Sequence, residues 1–171
     1  SDFAGNPAVQ VSRKVIVAEV STPWTSWFTE TALSDSPEAD RLPEADPDLD
    51  GMPNLIEYAL GGNPLASDRD ILPKLELSVD GKLQVTYVRL KSTFDQSITY
   101  TAQLTEKLSS SWSPTGVTVH GALQGISQAQ LPDRKSFAAS RYERVRATVD
   151  TTIANSSGKQ FLRILVEQKI D

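Results

Sequence analysis

The chain has 171 residues, 39% of them hydrophobic, which is enough for one buried core, or for one domain with a small appendage. No apolar run approaches the ~20 residues of a membrane-spanning helix, and the absence of cysteine excludes disulfides, zinc-thiolate sites and thiol catalysis. Seventeen basic against twenty-two acidic residues leave a net charge of -5, which argues against nucleic acid as a partner because phosphate affinity needs clustered positive charge.

Residues 1–20 read as a strand or linker. Gly5-Asn6-Pro7 makes a turn, and Val9, Val11, Val15, Ile16, Val17 and Val20 place β-branched side chains on either side of Arg13-Lys14. The start Ser1-Asp2-Phe3 carries neither a methionine nor a basic and apolar leader, so a signal peptide is absent or already removed, and a piece of something longer is expected. Asp2-Phe3-Ala4-Gly5-Asn6 followed by Val11-Ser12-Arg13-Lys14-Val15-Ile16-Val17 resembles the last strand of bacterial immunoglobulin-like repeats, written "DxAGN…VxRxVxV". The resemblance implies that residues 1–20 are the tail of a preceding domain.

Residues 21–70 form a second unit. Thr22-Pro23 offers a helix cap with a proline in the first turn, and Trp24, Trp27, Phe28 and Thr31 follow at helical spacing. Two readings compete for that aromatic stripe. It is a platform on which sugars stack, or it is the buried face of a helix packed against the acidic segment that follows, and the spacing favours burial. From Glu30 to Asp50 the chain is strongly acidic, with Arg41 alone opposing, and residues 34–45, rich in Ser, Asp, Glu and Pro, read as a loop.

The stretch Asp46-Pro47-Asp48-Leu49-Asp50-Gly51-Met52-Pro53-Asn54-Leu55-Ile56-Glu57 demands a particular chemistry. Side-chain oxygens recur at the first, third, fifth and ninth places, a glycine sits sixth, and a glutamate closes the loop at the twelfth. That is the ligand order of a calcium loop. Asp46, Asp48 and Asp50 can reach one ion, Met52 would contribute its carbonyl, Asn54 its amide oxygen, and Glu57 two oxygens from the first turn of a helix. Such a set suits a large, six-to-eight-coordinate cation better than magnesium. An acidic surface turn uses the same residue types, but the register of four carboxylates, an amide and a glycine exceeds what a turn needs. Pro53 occupies the place where paired EF-hands bond backbone to backbone, and Pro43 and Pro47 stand where an entering helix would run. A solitary loop is therefore predicted, with only an exiting helix that starts near Pro53, presents Leu55, Ile56, Ala59 and Leu60 on one side and stops at Gly61-Gly62.

The run Ala45 to Leu65 resembles the "DPDGDGxxNLxEYALGxxP" segment of C-terminal modules in large secreted bacterial proteins, and more loosely dockerin and thrombospondin type 3 calcium repeats. Leu49 stands where that group has glycine. The resemblance implies calcium as the bound cofactor, a β-rich domain after the loop, and a secreted or cell-surface location.

From Ile71 the period becomes two. Leu75, Leu77 and Val79 alternate with polar residues, as do Leu83, Val85 and Tyr87. A two-residue Asp80-Gly81 turn would mix the faces. A three-residue loop, Val79-Asp80-Gly81 with Gly81 left-handed, sets Leu77 against Leu83 and Leu75 against Val85. Ile98 to Leu104, Val117 to Val119, Val145 to Val149 and Leu162 to Val166 supply further strands, and Trp112 is expected to plug one end of the core. The fold predicted is mainly β: an antiparallel β-sandwich over residues 71–171, preceded by a short helical segment carrying a single EF-hand-like loop.

Catalysis finds no support in the residues. His120 is the lone histidine and continues a strand pattern, no serine stands in a nucleophile elbow, and the clustered carboxylates are committed to the metal loop. The basic group Arg134, Lys135, Arg141, Arg144 and Arg146 reads as a strand face that is solvated or pairs with the acidic segment, with an acidic polysaccharide as the sharper alternative. The expected function is a non-catalytic, calcium-stabilised structural module of a multidomain bacterial protein whose partners are its neighbouring domains. The alternative is a module that binds polysaccharide or a surface protein.

Overall fold

The computed structural model describes residues 21–129 and 138–169, so the readings made for residues 1–20, Arg134 and Lys135 lie outside the described residues. Helix α1 spans Pro23–Glu30 and begins as its sequence predicts. Thr22 Oγ1 accepts from the Thr25 amide at 3.1 Å while Thr25 Oγ1 accepts from the Thr22 amide at 2.9 Å, a reciprocal cap on two otherwise orphaned donors. Where a plain loop is predicted, Leu33–Asp35 and Glu38–Arg41 each close a single 3-10 turn, and the first buries Leu33 completely.

Helix α2 spans Asn54–Leu60, directly after Pro53, whose missing N–H costs nothing at a helix start. It ends at Gly61, where φ is +83°, a value that glycine adopts freely. Its buried face is Tyr58, Ala59 and Leu60, with Leu55 and Ile56 only partly covered, so the contact surface is rotated from the predicted one toward Tyr58.

Six strands follow among the described residues: β1 (Lys74–Leu77), β2 (Lys82–Leu90), β3 (Ile98–Thr105), β4 (Val117–His120), β5 (Tyr142–Thr152) and β6 (Phe161–Gln168). Among the described residues the chain is thus mostly β with two short α-helices. The strands form a four-stranded sheet in the order β1-β2-β5-β4 and a two-stranded sheet β3-β6, with every pairing antiparallel. The β1–β2 hairpin has the predicted register, Leu77 opposite Leu83 and Leu75 opposite Val85, and Gly81 takes φ +77°. Leu75 and Leu77 nevertheless remain 58% and 60% exposed, because β1 is an edge strand and no described element covers its leucines.

Two apolar clusters make the core. One joins the helical segment to the strands through Trp27, Leu33, Tyr58, Ala59, Val88, Leu90, Ile98 and Tyr142. The other gathers Val85, Tyr87, Val145 and Ala147 from one sheet, Ala102 with Leu162 and Ile164 from the other, and Met52, Leu60 and Ile71 from the segment before β1. Tyr100 packs against both. Trp112 belongs to neither. It lies beneath the Arg163 guanidinium, 4.3 Å from the ring centroid, and so caps a charged strand face instead of plugging the core.

The arginines that sequence leaves as a strand face are individually engaged. Arg141 pairs with Glu30 of α1 and also lies over the Phe94 ring, Arg146 stands 3.6 Å from Glu76, and the buried Arg144 donates to the Ser127 and Ala129 carbonyls. His120 ends β4 opposite Arg146.

Candidate metal centre

Between Asp46 and Met52 the backbone turns at two left-handed positions. Gly51 takes φ +92° in open space, a value that glycine adopts freely. Leu49 takes φ +60°, a left-handed conformation that costs an L-residue roughly 1–2 kcal/mol. The side chains then organise the backbone from inside. Asp46 Oδ2 accepts from the Gly51 amide at 2.9 Å, Asp48 Oδ1 from the Asp50 amide at 3.1 Å, and Asp50 Oδ1 from the Met52 amide at 2.9 Å.

Carboxylate oxygens of Asp46, Asp48 and Asp50 come within 4.8 Å of one another, so this trio could hold a metal ion. Each of these residues is half-buried. The second oxygens of Asp46 and Asp48 are buried with no hydrogen-bond partner among the described residues. Glu57 is fully buried in α2, and neither of its carboxylate oxygens has such a partner. Burial first, then repulsion from Asp48, Asp68, Asp50 and Asp46, pushes its carboxyl from 4.5 up to about 8. Burial also raises the Asp48 carboxyl, repulsion from Asp50 and Asp46 adds to it, and the bond from the Asp50 amide opposes it.

Among the described residues the site therefore collects acceptors in excess of donors. A buried carboxylate left without a donor is costly, and a cation satisfies several oxygens at once. No protein family, curated protein or solved structure matches this chain. The donor set is what characterises the site: oxygen alone, mostly charged, with no nitrogen or sulfur among it.

Two predicted ligands sit differently from the aspartates. Asn54 is fully buried, but its side-chain N–H groups donate to the Asp40 and Leu42 carbonyls at 2.7 and 2.9 Å, which stitches the end of the Glu38–Arg41 turn to α2. Its Oδ1 has no hydrogen-bond partner among the described residues. Met52 turns its side chain into the core, leaving only its backbone to the loop. Asp68, which the sequence reading passes over, is 4% exposed and close enough for its charge to act on Glu57. Its local sequence, Ala66-Ser67-Asp68, carries the signature of an ordinary turn.

Helix α2 links this centre to the sheets. Tyr100 Oη, from β3, donates to the Ala59 carbonyl at 2.7 Å and accepts from the Leu90 amide at 3.0 Å. Tyr142 Oη, from β5, donates to the Tyr58 carbonyl at 2.9 Å, and Tyr58 Oη donates to Asp95 Oδ2 at 2.6 Å. Burial raises all three phenols above their ordinary range, so they remain neutral donors. The tryptophans belong to the same junction. Trp24 and Trp27 stack at 5.4 Å, both meet the Tyr58 ring edge-on, and Trp27 is 3% exposed.

Proposed function

We propose that this chain is a non-catalytic module, braced by one calcium ion, of a secreted or cell-surface multidomain bacterial protein. Its body is an antiparallel β-sandwich, and residues 46–57 are a solitary EF-hand-like loop in which Asp46, Asp48, Asp50, the Met52 carbonyl, Asn54 and Glu57 serve the ion. The observation that carries this reading is Glu57, whose two buried oxygens lack hydrogen-bond partners among the described residues while three aspartates converge nearby. Calcium fits an all-oxygen set in which a glutamate can supply two ligands together, and extracellular sites of this kind bind at roughly 0.1 to 1 mM. The body as two facing sheets is supported by the apolar cluster that strands of both sheets share.

The ion would act through α2. Holding Glu57 against the loop fixes the start of the helix, and the two tyrosine hydroxyls at its other end pass that order to β3 and β5. At an ion concentration a hundredfold above the dissociation constant, the stabilisation is about 2.7 kcal/mol, or roughly 5–10 °C in melting temperature for a chain of this size. Melting curves with saturating calcium and after removal of divalent metal test the reading. A difference of that size, abolished by Glu57→Ala or Asp50→Ala, supports it, and equal melting in wild type ends it.

A second reading draws on a surface groove that Trp24 and Phe28 border with Glu38, Arg41 and Leu42. Such a groove could receive a polysaccharide or a surface protein. Trp24 spends one face on Trp27, which weakens it as a sugar platform. A glycan-array screen with wild type and Trp24→Ala separates this reading from the first.

A further inference from the structure

Asn54 opens α2 and is fully buried, yet most of its polar atoms serve a different part of the chain. Its Nδ2 donates to the Asp40 carbonyl at 2.7 Å and to the Leu42 carbonyl at 2.9 Å, which uses both of that atom's hydrogens. The backbone adds two bonds to the same segment, from the Asn54 amide to the Ala45 carbonyl at 2.8 Å and from the Leu55 amide to the Pro43 carbonyl at 2.9 Å. No side chain caps α2, so the carbonyls of residues 40–45 receive amides that would otherwise be orphaned. Of the Asn54 side chain only Oδ1 is left over, buried and with no hydrogen-bond partner among the described residues.

A calcium loop asks only for an oxygen at its ninth place, bonded directly or through water. Aspartate or serine supplies that oxygen as well as asparagine does. A carboxamide differs in carrying a bare acceptor on one atom and two donors on the other, fixed in one plane. We propose that Asn54 is a positioning residue that couples the cation site to residues 40–45: with Oδ1 on the ion the amide plane is fixed, and Nδ2 then holds the Asp40 and Leu42 carbonyls in place. This rests on the calcium reading above. Glu38, Arg41, Leu42 and Pro43 form one wall of the groove that Trp24 and Phe28 border, so occupancy of the loop sets how firmly that wall is held. The coupling is reciprocal, and whatever the ion adds to the hold on the segment, the segment adds to the hold on the ion.

The test uses the full chain, calcium titrated by calorimetry, and amide hydrogen exchange measured at saturating calcium and after removal of divalent metal. The Ala45, Asn54 and Leu55 amides report release of the segment, and the amides of β2 and β5 report global unfolding. Asn54→Asp keeps an oxygen for the ion and loses both side-chain donors. The expected result in wild type is that calcium slows the three segment amides by about fivefold or more beyond any slowing in β2 and β5. Asn54→Asp should still bind calcium, with that extra slowing gone. A wild type that binds calcium without the extra slowing overturns the proposal, and so does an Asn54→Asp variant that shows it in full. An Asn54→Asp variant that no longer binds calcium also overturns it, because the oxygen is retained. A wild type that binds no calcium removes the calcium reading itself and this proposal with it, an outcome distinct from the other three.

Discussion

At its C-terminal end α2 is completed by the protein. The Tyr58 and Ala59 carbonyls each receive a tyrosine hydroxyl, Gly62 donates to Glu57 at 2.7 Å, and aromatic rings close around Tyr58. At its N-terminal end the same helix faces a set of carboxylate oxygens that outnumber the amides offered to them. One end is completed by groups of the chain; at the other, Asp46, Asp48 and Glu57 keep buried carboxylate oxygens with no hydrogen-bond partner among the described residues. A helix of seven residues has little stability of its own, so both ends are needed to hold it.

The contrast can be broken most forcefully at the aromatic end. Trp27→Ala removes a fully packed ring and should cost about 3–5 kcal/mol, with the same loss whether or not calcium is present, as measured by denaturant unfolding in both conditions. A loss that appeared only with calcium would mean the two ends are not separable. Next in size is the response to pH. In metal-stripped protein the raised carboxyl of Glu57 favours the folded state while it is protonated, an advantage fully present below its ordinary 4.5 and lost as pH climbs through about 8. Asp48, raised in the same direction, adds to this, and Asp46, Asp50 and Asp68 are the charges that face Glu57. The melting temperature of stripped protein should therefore fall between pH 5 and pH 8, and saturating calcium should flatten or reverse the trend.

Smaller effects sharpen the comparison. Tyr142→Phe deletes the hydroxyl that donates to the Tyr58 carbonyl, so a cost of about 1 kcal/mol is expected by thermal unfolding. The smallest change lies in the loop. Leu49 is exposed and left-handed, and Leu49→Gly relieves the strain while adding backbone freedom to the unfolded chain, for a net gain under about 1 kcal/mol. Calcium affinity should be unchanged or slightly tighter.

Much of this was readable where the information is local. The cap of α1 needs Thr22, Pro23 and Thr25, and the hairpin register follows from a single glycine and two alternating runs. The trio of aspartates is fixed by spacing within five residues. What escaped depends on distant partners. Asp68 looks like any turn aspartate until the fold folds its turn back over Glu57, and the tyrosines read as ordinary strand residues although their hydroxyls hold α2. Leu75 and Leu77 carry the alternation of a buried face, yet alternation does not say whether anything lies opposite an edge strand. Trp112 is expected to plug one end of the core, and Arg163 gives it a different neighbour.

Pro53 carries one more consequence. Twin calcium loops communicate through a short backbone bridge, and a residue without an amide hydrogen cannot build it. Uptake at this loop should accordingly follow a simple hyperbola with a Hill coefficient of one, graded with the surroundings and indifferent to any neighbouring copy.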